Sequence, residues 1–186
     1  MHWKNWIKLN KDNMGSLLIA AVNERDQVQG NHDAKIELVE YGDYQCPHCG
    51  RAYPIIKKLQ KALGHNLKFV FRNFPLSNMH PDAMNAAVAA EAAGLQGKFW
   101  EMHDMIFEHQ NRLLEDDLVS YAQRLGLNID RFQNDMLSET ILSKVEDDFE
   151  SGMRSGVNGT PSFFINGEKY NNNWEYEPFL DYLKQL

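Results

Sequence analysis

The chain has 186 residues, of which 43% are hydrophobic and 24% charged, and carries a formal net charge of −7. That size and balance predict one globular domain with a sizeable core, or a domain plus an insertion. The acid excess argues against a nucleic-acid binder, which needs a basic face. No stretch approaches the roughly 18 apolar residues of a membrane span.

Residues 1–29 read as an N-terminal extension. Residues 1–13 are polar apart from a few apolar side chains such as Trp3 and Trp6. Lys4, Lys8 and Lys11 precede the apolar run Leu17-Leu18-Ile19-Ala20-Ala21-Val22, in the order of a secretory signal. Asp12 and Asn13 interrupt it, the run is short, and no small-x-small cleavage site follows. The expectation is therefore no signal and a cytoplasmic protein, with an exported, periplasmic form as the alternative. Residues 22–33 read as a polar, turn-rich lead-in.

The first strand is expected at Lys35-Ile36-Glu37-Leu38-Val39-Glu40-Tyr41. Alternation puts Glu40 on the same face as Ile36 and Leu38. Glu40 is either an edge residue reaching water or a buried acid whose raised pKa lets it relay protons. Gly42-Asp43-Tyr44-Gln45 then turns the chain into a helix that opens with Cys46-Pro47-His48-Cys49, which holds the only two cysteines. Pro47 suits a first helical turn, where its missing N–H is not needed.

A thiol at a helix N-terminus faces free backbone N–H groups and the positive end of the dipole. Both favour the thiolate, the reactive species. His48 can add a positive charge or an N–H donor. Zinc would need two more ligands from His32, His65, His80, His103 and His109, none in a familiar spacing. A purely structural disulfide across so short a loop constrains the unfolded chain little. A redox dithiol is the reading that remains.

The helix should continue through Tyr53, Ile56, Leu59 and Leu63, kink at Pro54 and end at Gly64. Leu67–Arg72 is the second strand, and strand–helix–strand implies a right-handed βαβ unit. From about 77 to 137 the pattern is helical only. Ala83, Ala86, Ala87 and Ala90 make a small-residue face. Leu95, Phe99, Met102 and Ile106 form one apolar stripe and Leu114, Leu118, Tyr121 and Leu125 another. A further helix over Ser138–Arg154 turns Leu142, Val145 and Phe149 inward and Asp147, Asp148 and Glu150 to solvent. Gly159-Thr160-Pro161 precedes the strand Ser162–Ile165. Pro161 is there either a plain turn proline or a cis one beside backbone groups that can pair with an extended peptide. Asn166-Gly167 signals a hairpin, and Asn173 can cap a last helix.

Three motifs together resemble the DsbA-type thiol:disulfide oxidoreductases. They are Glu40-Tyr41-Gly42-Asp43-Tyr44-Gln45-Cys46-Pro47-His48-Cys49, Arg72-Asn73-Phe74-Pro75-Leu76, and Gly156-Val157-Asn158-Gly159-Thr160-Pro161. The resemblance covers residues 30–186 and is nearest to a bacterial branch sometimes fused to sodium/proton antiporters. It implies an α/β, thioredoxin-like fold with an inserted all-helical subdomain at about 77–137. It further implies that Cys46 is the exposed nucleophile, Cys49 the buried resolving thiol, His48 the stabiliser of the Cys46 thiolate, and Glu40 the acid near Cys49. Pro161 would be the cis-proline facing the disulfide, and Thr160 would offer backbone contacts to a bound peptide. The expected activity is disulfide exchange with cysteines of protein or peptide substrates, as a disulfide donor, with an unidentified redox partner and no cofactor or metal. A cytosolic reductase or isomerase, and a redox-sensing interaction module, are the alternatives.

Overall fold

The computed structural model describes residues 17–186. The signal-like reading rests largely on residues 1–16, which lie outside that range. Among these residues five strands form one mixed sheet: β1 (Gln27–Gly30), β2 (Ile36–Gly42), β3 (Leu67–Asn73), β4 (Ser162–Ile165) and β5 (Glu168–Tyr170). Their spatial order is β1-β3-β2-β4-β5. β2 and β3 are parallel, with Glu40 opposite Phe71 and Tyr41 opposite Arg72; the other pairs are antiparallel.

Among the described residues seven α-helices accompany the sheet: α1 (Pro47–Leu63), α2 (Ala83–Gly94), α3 (Phe99–Glu108), α4 (Glu115–Arg124), α5 (Ile129–Met136), α6 (Glu139–Arg154) and α7 (Tyr176–Leu183). α1 crosses from β2 to β3, as a parallel connection requires. It runs on through Pro54 and stops at Gly64, whose φ of +52° suits glycine and whose N–H closes on Gln60 O. α2 to α6 all lie between β3 and β4, so the inserted helices lead without a break into the helix that returns the chain to the sheet.

The alternation of β2 separates two cores. Ile36 and Leu38 join α1, the inserted helices and α7 on one face. Val39 and Tyr41 join Val70, Phe74, Val157 and Phe164 on the other, where Phe149 of α6 packs against them. Each fully buried Leu or Phe contributes about 1.5–3 kcal/mol, so both faces are firmly covered.

Several expectations need correction. Residues 22–33 are not merely a lead-in, because β1 lies inside them and pairs with β3. The stripe from Leu95 to Ile106 is broken: Leu95 is exposed after the end of α2, and Gly97 at φ +73° starts the chain anew into α3. Leu114 is likewise exposed, ahead of α4. On α6, Leu142 is exposed while Asp148 is buried. Asp148 can go inside because it accepts from Lys144, from the Asn73 backbone N–H and from Asn73 Nδ2. The last helix is preceded by Glu175 rather than Asn173, whose side chain accepts the Glu175 N–H instead.

Candidate active site

Cys46 sits at the N-cap of α1, just before Pro47 starts the helix. Its backbone N–H is held by Asp43 O at 3.1 Å. Both cysteines are free thiols, and both are buried: Cys46, expected as the exposed one of the pair, is only 4% exposed, with its sulfur against the Thr160 carbonyl. Pro47 and His48 are exposed.

The two sulfurs have opposite surroundings. The Cys46 thiol is pulled down to about 5, first by a hydrogen bond from the Cys49 thiol. Burial opposes this, while the Thr160 hydroxyl and the backbone N–H groups of Cys49 and His48 reinforce it. Among the described residues the buried Thr160 hydroxyl has no hydrogen-bond partner, which leaves it free to turn toward a Cys46 thiolate. As a thiol, Cys46 donates to Thr160 O at 3.4 Å. Cys49 is pushed well above its ordinary range, first by burial, then by donating to Cys46 and by the nearby charges of Glu40 and Cys46. A backbone N–H from Asp43, 3.4 Å from its sulfur, acts the other way.

Glu40 lies on the central strand at 3% exposure, facing the thiol side, so it is the buried acid and not an edge residue. Burial, and secondarily the Cys46 charge, push its carboxyl up to about 8. Thr160 and Pro161 are half-buried and joined by a cis peptide bond. The structure thus brings together Cys46, Cys49, Glu40, Thr160 and Pro161. His48 contributes its backbone N–H, with its side chain turned out.

Sequence reading missed the residues that clamp this loop from the insertion. Gln110 donates from Nε2 to Tyr44 O at 2.8 Å and to Cys46 O at 3.0 Å. Gly50 leaves room for it, since a Cβ there would collide with the Gln110 amide. The Gln45 side chain exchanges hydrogen bonds with Asp82. No sequence pattern marks Gln110, which lies 64 residues from Cys46. Among the described residues, no group of three or more His, Cys, Asp or Glu could hold a metal ion. The imidazoles weighed as zinc ligands include His103, which is buried against Tyr44, Phe71 and Phe107.

A βαβ unit presenting two thiols of opposite character at the start of its helix, opposite a cis-proline turn, defines a thioredoxin-class redox protein. The family described as "Thioredoxin" matches residues 22–185, and the chain belongs to it. The solved structure of a thioredoxin-like oxidoreductase from Silicibacter pomeroyi superposes with a TM-score of 0.79 at 27% identity, over 88% of this chain and 92% of that one. Alpha-DsbA1 from Wolbachia pipientis superposes at 0.77 over 91% of this chain and 94% of that one; at 20% identity this shows the DsbA-like fold alone. Among curated sequences, Na(+)/H(+) antiporter NhaA 1 of Salinispora arenicola is 41% identical over 161 residues, 87% of this chain. The chain spans 24% of that protein's length. No described helix is long and apolar enough to cross a membrane.

Proposed function

We propose that this protein exchanges disulfides with cysteines of protein or peptide substrates and acts as a disulfide donor. The observation that carries the reading is the asymmetry of the thiols: Cys46 is held near 5 while Cys49 is pushed up. At neutral pH a thiol lowered to that extent stabilises the reduced form by about 2–3 kcal/mol. Stabilising the reduced form alone raises the potential of the pair by roughly 60 mV.

In the donor direction, a substrate thiolate attacks Cys46 Sγ of the disulfide. The bond to Cys49 breaks, and Cys49 Sγ leaves with the electron pair and takes a proton, which Glu40 is placed to supply. A second substrate thiolate then attacks the substrate sulfur of the mixed disulfide and releases Cys46 as a thiolate. The substrate dithiol has become a disulfide and the protein a dithiol. The substrate chain lies along the Thr160–Pro161 turn and pairs with its backbone, as in strand addition. His48 supports the Cys46 thiolate through its N–H, and Pro47 fixes the first turn.

Equilibration of the Cys46–Cys49 pair with glutathione tests this. A potential above about −200 mV supports the donor, and also the exported alternative, because cytosolic glutathione (about −220 mV or lower) would keep such a pair reduced. A value at or below that of thioredoxin, about −270 mV, overturns the donor reading in favour of a cytoplasmic reductase.

A further inference from the structure

Asp43, three residues before the first cysteine, is fully buried, with 0% of its side chain exposed. Its Oδ1 accepts the backbone N–H of Gln45 at 2.8 Å and of Cys46 at 3.2 Å. Its Oδ2 accepts the backbone N–H of Leu76 at 2.8 Å and faces His80 Nδ1 at 2.8 Å. Because a carboxylate only accepts, His80 Nδ1 is the donor. The Asp43 backbone serves the same centre: its N–H points at Cys49 Sγ and its carbonyl accepts from Cys46. One residue therefore touches both cysteines, the loop after β3 and a histidine leading into the insertion.

A buried carboxylate with four donors is not accounted for by the exchange chemistry, in which it takes no part. α1 has no acidic side chain in its first turn, so the carboxylate at this N-terminus is Asp43, three residues ahead of the Cys46 N-cap. Three of its donors are backbone N–H groups, which side-chain substitutions other than to proline leave in place. The fourth, His80, belongs to a segment outside the βαβ unit, and its ring is 19% exposed.

We propose that Asp43 is a positioning residue for both thiols, and that His80, reaching it from the edge of the helical insertion, sets through it the reactivity of the Cys46 sulfur. The inference rests on the exchange reading but concerns the cause of the thiolate's stability, so the two fail separately. With His80 in place, the Asp43 charge is spread over a full set of donors and the loop holds the N–H groups on the sulfur. Without it, one oxygen is left with Leu76 alone, and an under-compensated negative charge faces the first turn of α1.

The test is the rate of alkylation of reduced Cys46 by iodoacetamide against pH, in the wild type, His80→Ala and His80→Asn. Asparagine can place an N–H where Nδ1 stood. Near pH 5, where wild-type Cys46 is about half ionised, His80→Ala should react about two- to fivefold more slowly, as a rise of half to one pKa unit in Cys46 produces. His80→Asn should stay within about 1.5-fold of wild type, under a third of a unit. A His80→Ala profile coincident with wild type overturns the proposal, as does a His80→Asn profile shifted as far as that of alanine. A wild type that alkylates normally yet never exchanges with glutathione would instead remove the functional reading and leave this one standing.

Discussion

Glu40 and Arg72 sit on adjoining central strands, and both are all but excluded from water, yet the fold treats them oppositely. Arg72 points to the face of Tyr41 and uses every donor it has. Nε and Nη2 clasp Asp26, each at 2.8 Å, Nη1 reaches Ala20 O and Tyr41 Oη, and Nη2 also meets Ala21 O. Glu40 points to the thiol face, and among the described residues no donor reaches its carboxyl. A buried charge that is fully paired is fixed, whereas a buried acid with no partner is held near the pH at which it can give or take a proton. Structure is secured on one face of the sheet, and proton traffic is left possible on the other.

The largest expected effect breaks the paired side. Arg72→Met leaves Asp26 buried and unpaired and should lower stability by about 3–5 kcal/mol in urea unfolding. Exchange by the molecules that remain folded should be unchanged. A loss under about 1 kcal/mol would mean that the network is dispensable.

The two faces should also differ in the sign of their pH dependence. Asp26 is held low by the hydrogen bond and charge of Arg72 against the opposing effect of burial. Its contribution is present above its unfolded pKa near 3.8 and is lost as pH falls through the lower, folded value. Glu40 is raised, so its contribution is present below about 4.5 and lost as pH rises through about 8. Glu40→Gln should therefore be more stable than wild type at pH 9, by about 2–4 kcal/mol, within what that shift allows. Equal stabilities at pH 5 and pH 9 would show that the carboxyl is not buried as an acid.

In kinetics, Glu40→Gln should slow the step in which Cys49 gains or loses its proton by about 10–100-fold, at the lower end of general acid–base effects. Alkylation of Cys46 should change far less. Equal slowing of both sulfurs would point to loss of packing instead. The smallest effect is expected from His48→Ala, which keeps the backbone N–H that faces the sulfur. The Cys46 pKa should move by less than about one unit, or 1.4 kcal/mol; a larger shift would return the stabilisation to the imidazole.

Much of the site was legible because local chemistry dictates it. The spacing Cys46-Pro47-His48-Cys49 places a thiol at a helix start, alternation in β2 sends Glu40 to the thiol side, and Thr160-Pro161 marks a turn before a strand. What escaped was held by partners distant in sequence. Asp148 looked solvated on its helix until Asn73 and Lys144 supplied donors. Gln110 and His80 carry no local pattern, since their meaning lies in what they meet across the fold. β1 was missed because Gln27-Val28-Gln29-Gly30 has little apolar content of its own and gains its strand character by pairing with β3.

By itself, then, the sequence determined the class of chemistry and the elements that present it. Periodicity, capping and the cysteine spacing act over a few residues and need no knowledge of the rest. The tertiary structure alone decided which buried polar groups are satisfied and which are left to titrate. Burial and hydrogen bonding set that difference, and both depend on residues that come together only when β2, the insertion and the cis-proline turn close around Cys46 and Cys49.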